Sequence, residues 1–258
     1  MYFPLSSSLI LMSLAPAPSA RYEDLAALFT EWRAFQKPRL VDGVPDYTAN
    51  AMAKQHRELA GYQERLKAID PGGWPIPQQV DYHLVRAEMN GLEFDHRVLV
   101  PWKNNPAFYV TVFPSESDQP AREGPFALGG VELWSYDFPL SASDAAAVEA
   151  GIRGIPKLLE QAKSNLTGNQ KDLWTYGTKS IKEQSADLTK LAANLTEAQG
   201  SLRASVDRAR EATDALAAWL DSEAPKKTGP SGVGVENYDW YLKNVQLVPY
   251  SWRDEVIL

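Results

Sequence analysis

The stretch DYHLVRAEMNGLEFDHRVL places three carboxylates, Asp81, Glu88 and Asp95, at intervals of seven residues. At about 100° per residue a helix holds them in one narrow stripe. That stripe is bordered by Val85, Leu92 and Leu99, with Leu84, Met89 and Gly91 just beyond, so the acids lie within the apolar face. The opposite side carries His83, Arg86, Asn90, Glu93 and Arg97, a solvated arrangement in which Glu93 and Arg97 can pair one turn apart. Carboxylates on a buried face cost several kcal/mol each unless they are paired. Two chemistries answer that cost. Arginines or lysines of neighbouring helices can satisfy the acids and fix helix register, or the stripe can face a cleft where Glu88 and Asp95, with His96 beside them, hold a substrate ammonium or orient groups around it.

Metal and nucleophile chemistry are poorly served. The chain has no cysteine, and its histidines are His56, His83 and His96, none in His-Glu-x-x-His spacing. A zinc hydrolase site needs two imidazoles one helical turn apart, a third ligand and a carboxylate to activate water. Glu88, Asp95 and His96 make a poor lone site, because adjacent helical residues point about 100° apart. No catalytic residue, metal ligand or cofactor site is assigned within this chain.

A second candidate surface lies in GPSGVGVENYDWYLKNVQLVPYSW. Gly229, Gly232 and Gly234 build a turn, but no strand precedes it and no Lys-Ser/Thr follows, which argues against a phosphate loop. The helix after it sets Tyr238, Tyr241, Leu242 and Val245 on a core face and leaves Asn237, Trp240 and Asn244 on another. Those three either sit in a surface layer or line a pocket for a peptide, since amides pair with backbone groups.

The elements that must position these residues are helical almost throughout. Leu25, Leu28, Phe29, Trp32 and Phe35 share a face of a first helix stopped by Pro38; a second spans about residues 48–69 and the acidic one about 76–100. Residues 101–142 form a Pro-, Gly- and aromatic-rich loop segment without long periodicity, expected to pack over the helices. Ser141-x-x-Asp144 reads as a capping box, and Pro156 after Gly154 should kink or restart the next helix. Two amphipathic helices, through Trp174, Ile181 and Leu188 and through Leu202, Val206, Leu216 and Leu220, read as an antiparallel hairpin. The expected fold is all-α, an elongated multi-helix scaffold.

With 258 residues, 44% of them hydrophobic, the chain can bury a sizeable core. The net charge of −7, with scattered basic residues, argues against nucleic acid as a partner. Residues 1–20 hold a short apolar run and the small-x-small motif Ala15-Pro16-Ala17. They read as a signal peptide or a disordered start, which implies an exported or periplasmic protein, or in the second case a cytoplasmic one. No segment reaches the roughly 18 apolar residues of a membrane span. After the helix start at Ser251-x-x-Asp254 the chain stops on Val256-Ile257-Leu258, so it reads as the front portion of a longer protein, with residues 21–258 as one helical domain.

The runs QVDYHLVRAEMNGLEFDHRVLVPWKNNPAFYV, IPKLLEQAKSNL and GVGVENYDWYLKNVQLVPYSW resemble the N-terminal half of the bacterial domain of unknown function 885 family. The resemblance implies a largely helical, zinc-metallopeptidase-like protein about twice this length, acting on peptides or small molecules. Its zinc would sit on a His-Glu-x-x-x-Gly-His-His helix in a C-terminal half absent here. The chain alone is then expected to be inactive and to form one wall of a substrate cleft. The alternative is a non-catalytic helical binding or envelope-associated module.

Overall fold

The computed structural model describes residues 21–116 and 126–257, without the side chains of 256 and 257. The leader reading of residues 1–20 and the apolar tail at 256–258 lie outside what is described.

The first three long helices, α1 (Tyr22–Phe35), α2 (Ala49–Lys67) and α3 (Ile76–Phe94), share one core. Leu25, Leu28 and Trp32 recur on the inner face of α1 and meet Leu59 and Leu66 of α2 and Val85 and Met89 of α3. Thr48 caps α2, its hydroxyl accepting from the Ala51 N–H at 3.4 Å. Between α1 and α2 the chain makes an antiparallel hairpin, β1 (Leu40–Val41) with β2 (Val44–Pro45). Its turn is Asp42-Gly43, both at positive φ (52° and 78°), the geometry that Asp-Gly favours in two-residue hairpins. That hairpin is absent from the all-helical reading, although its turn signal stands in the sequence.

The acidic helix is shorter than expected. α3 ends at Phe94, and Asp95–Leu99 form a π-helical turn in which the Val100 N–H bonds the Asp95 carbonyl at 2.7 Å. Val100 then takes a left-handed conformation (φ 39°) before Pro101. A residue preceding proline is disfavoured in the helical region, so the helix cannot run on to residue 100. The assignment of faces also changes. Val85 and Met89 are buried, whereas Ile76, Val80 and Leu84 stand 69%, 48% and 51% exposed. The apolar face of α3 is therefore only half covered, and the acids sit where the covering stops.

The larger core gathers α5 (Ala142–Arg153), α6 (Ile155–Asn165), α7 (Lys171–Ala193) and α8 (Gly200–Glu223). Ser141 caps α5, accepting from the Asp144 N–H at 3.1 Å, and Gly154-Ile155-Pro156 divides α5 from α6. α7 and α8 pack as the expected hairpin, with Trp174, Ile181 and Leu188 facing Val206, Leu216 and Leu220 inside one buried cluster. Among its described residues the 101–142 segment holds α4 (Pro101–Asn104), a short 3-10 turn at Pro106–Tyr109, and β3 (Val112–Phe113) parallel to β4 (Val131–Glu132). Phe108, Tyr109, Val112, Val131 and Leu133 are buried against the bundle. Gln184 of α7, 1% exposed, holds the segment there: its Oε1 accepts from the Thr111 N–H at 2.7 Å and the Val112 N–H at 3.2 Å.

The chain finishes with α9 (Val235–Asn244) and α10 (Trp252–Ile257), the latter begun by Ser251 and Asp254 as expected. No helix among the described residues is long and apolar enough to cross a membrane.

Candidate functional site

A cavity of about 1130 Å³ opens between α1 and α3, closed at its sides by Tyr47, by Phe126 and Leu128, and by Val245 and Gln246 after α9. Its walls are largely apolar: Leu25, Ala26 and Phe29 of α1 oppose Leu84, Val85 and Leu92 of α3. Asp81, Glu88 and Asp95 all line it. The sequence periodicity thus brings the three acids to one concave surface.

They are satisfied unequally. The Tyr22 hydroxyl donates to Asp81 Oδ2 at 2.7 Å, and the anion raises that phenol above its usual range. Glu88 Oε2 lies 3.5 Å from an Arg33 Nη1, with both side chains about half exposed. This corrects the expectation of deeply buried pairs: of the three acids, only Glu88 is met by a described arginine, and that pair is at the rim. Asp95 has no described side-chain partner, and desolvation alone pushes its carboxyl up to about 7. A carboxylic acid held near neutral pH by burial, on the wall of a cavity, can change charge with its occupant.

Neighbouring elements fix this geometry. The Asn90 amide donates to the Asn244 carbonyl at 3.0 Å, which ties the end of α9 to α3. Val245 packs against α3 at Gly91, its Cγ1 3.6 Å from where a Cβ would stand, an ordinary contact. Tyr47, its hydroxyl pushed up to about 12 by burial, accepts from the Leu128 N–H at 2.7 Å and so anchors the opposite edge.

The remaining sequence-predicted residues fall elsewhere. His96 is buried on the α2 side of α3, its Nε2 3.0 Å from Gln55 Oε1 and its ring edge-on to Trp102. It does not join Glu88 and Asp95, because one step along a helix turns the side chain away from the cavity. Trp240 stacks on Phe94, with ring centroids 5.8 Å apart and planes 7° apart, and the Arg97 guanidinium lies over the Trp240 ring, 5.0 Å from its centroid. Asn244 donates to the Trp240 carbonyl and Asn237 to the Val233 carbonyl, both four residues back. Asn237 also accepts from Arg97 at 3.3 Å and lines a separate cavity of about 270 Å³ with Gln170 and Ser231. Both α9 amides are therefore already engaged, Asn244 within its helix and Asn237 by Val233 and Arg97, and the supposed core residue Tyr238 stands 38% exposed. The core face of α9 holds at Leu242, which is buried, and at Tyr241, which packs on Phe94; it departs at Tyr238 and at Trp240, which stacks on Phe94 alongside Tyr241. In the glycine turn before α9, Gly229 serves packing, since a Cβ there would meet the Asn169 carbonyl at 2.8 Å, and Gly234 supplies a φ of 81°.

Residues that the sequence reading missed are the α1 side of the cavity, Tyr22, Ala26 and Phe29, and Tyr47. The apolar periodicity of α1 was visible, but not the outward step of its face. Among the described residues no group of three or more His, Asp or Glu side chains could hold a metal ion.

No curated protein compared with this chain matches it. Among solved structures, a candidate lipoprotein of unknown function from Shewanella oneidensis is similar in fold, with a TM-score of 0.61 at 18% identity. The alignment covers 90% of this chain and 42% of that one, so the chain spans less than half the length of its structural relative. Residues 31–251 match the bacterial proteins of unknown function grouped as DUF885, and with the greater part of its length inside that match the chain belongs to this family.

Proposed function

We propose that this chain forms one wall of a substrate cleft in a zinc-metallopeptidase-like hydrolase acting on peptides, with the catalytic groups supplied by sequence outside it. The observation that carries the reading is the cavity between α1 and α3, concave, apolar-walled and lined by three acids. Large cavities with a few convergent polar groups are the usual substrate sites. The uncovered flank of Ile76, Val80 and Leu84 beside it supports a further layer of protein closing the cleft. The described side chains offer no zinc site, so this reading assigns the hydrolytic centre to that outside layer and expects the isolated chain to be inactive. On the same reading residues 1–20 are an export leader, residues 21–258 act as one helical unit, and the protein works outside the cytoplasm.

The second reading is a non-catalytic, envelope-associated binding module. It is favoured by the fold relative, a candidate lipoprotein of unknown function. The two are separated by extending the chain through its downstream reading frame and assaying quenched fluorescent peptides with added zinc. Chelator-sensitive hydrolysis by the extended protein supports the hydrolase. A zinc-loaded extended protein that binds peptides without cleaving them favours the binding module.

A further inference from the structure

The cavity has a polarity that the cleft reading alone does not specify. Asp81 and Glu88 are answered from α1, by Tyr22 and Arg33, while Asp95 is answered by no described side chain. Leu92 and Val85 line the same cavity from α3, and Leu25 and Phe29 line it from α1. Resting on the cleft reading, we propose that this cavity binds an ammonium group carried on an apolar body, with Asp95 as its counter-ion and the amino terminus of an apolar peptide as the natural form.

An unpaired, desolvated carboxyl is costly as an anion, and an incoming ammonium removes that cost while the apolar walls cover the ligand's body. Charge and shape select the same ligand. Among the described residues the lining carries three acids and one cation, Lys37, with Arg33 pairing Glu88 at the rim, so the balance disfavours an anionic occupant. At about 1.5 Å per residue Asp81 and Asp95 lie roughly 20 Å apart along the helix, the span of about six extended residues. A volume of about 1130 Å³ suits such a chain better than a small metabolite. Gln246 stands on the lining with its amide nitrogen donating to the Tyr241 hydroxyl at 2.9 Å, which leaves its carbonyl oxygen to accept from the ligand's backbone.

The test is calorimetric titration of the 258-residue chain with three probes: an apolar tetrapeptide beginning with leucine, its N-acetylated form, and hexylamine. The expected result is binding of the free tetrapeptide that weakens at least tenfold on acetylation and at least tenfold in Asp95→Asn. Glu58→Gln, an exposed change on α2, should leave the affinity unchanged. Acetylated and free peptide binding alike, or Asp95→Asn without effect, overturns the counter-ion role and leaves the peptide cleft standing. Hexylamine binding that depends on Asp95, without peptide binding, upholds the cation site and sinks the peptide cleft. If neither amine binds, the proposal is wrong. Should Asp95→Asn fail to fold, the contrast between free and acetylated peptide decides alone.

Discussion

His56 of α2 and His96 of the π-helical turn after α3 stack on each other, their ring centroids 4.9 Å apart and their planes 2° apart. Each has a separate polar partner, Glu93 Oε2 at 3.0 Å for His56 and Gln55 Oε1 at 3.0 Å for His96. Burial first, and the neighbouring imidazole second, lower the His96 pKa from 6.5 to about 4. The folded state therefore holds His96 neutral where the unfolded chain would protonate it. Stability should be complete above about pH 6.5 and fall as the pH drops through that value toward 4, by about 3 kcal/mol in all. Urea titrations between pH 4 and 7 measure this, and His96→Phe should flatten the slope.

Asp95 works in the opposite direction. Its carboxyl is raised from 3.8 to about 7, so the folded state keeps a proton that the unfolded chain releases. This contribution favours the fold at low pH and is lost as the pH rises from about 4 through 7. Asp95→Asn should accordingly stabilise the protein at pH 8, by on the order of 2–4 kcal/mol. A melting temperature at pH 8 unchanged or lowered in that variant would show that the carboxyl is not desolvated.

Glu88 and Glu93 exchange the roles that the helical wheel assigns them. Glu88 makes one half-exposed pair with Arg33, so Glu88→Ala should cost less than about 1 kcal/mol. Glu93, 25% exposed, reaches both His56 at 3.0 Å and Arg97 at 3.8 Å. Its loss should cost about 1–2 kcal/mol. Chemical denaturation of the two variants in parallel gives the order directly.

Gln184 offers a sharper stability test. Replacing it by Leu keeps the volume but strands the Thr111 and Val112 N–H groups in a buried setting, at a cost of about 2–4 kcal/mol. Because those groups hold the 101–142 segment on α7, limited proteolysis of the variant should begin there before the helices unfold.

The uncovered flank of α3 predicts the behaviour of the isolated chain. Ile76, Val80 and Leu84 recur every four residues on one exposed strip, so the protein should bind a hydrophobic dye or self-associate at high concentration. A triple change of these residues to Gln should abolish either behaviour without lowering the melting temperature. Dye binding that survives the triple change would place the responsible surface elsewhere.

What the sequence determined by itself is set by local rules. The recurrence of Leu25, Leu28 and Trp32, the caps at Thr48 and Ser141, the break at Gly154-Ile155-Pro156 and the α7–α8 hairpin follow from spacing and backbone preference, and each stands in the structure. The seven-residue stripe is of the same kind, since periodicity alone puts Asp81, Glu88 and Asp95 on one line. The Asp42-Gly43 hairpin was equally legible by its turn residues.

Tertiary structure decided the rest, because burial belongs to pairs of surfaces and periodicity describes only one. Whether an apolar face is covered depends on what packs against it: α1 and α2 cover Val85 and Met89 but leave Leu84 open, and Phe94 turns Trp240 inward on α9. His96 and Asp95 are neighbours in sequence yet serve opposite sides of α3, one against His56 and the other in the cavity. The partners of the acids, Tyr22 and Arg33, lie on a helix more than fifty residues earlier. Only the packing of α1 against α3 makes a line of carboxylates into the wall of a cavity and leaves one of the three without a side-chain partner among the described residues.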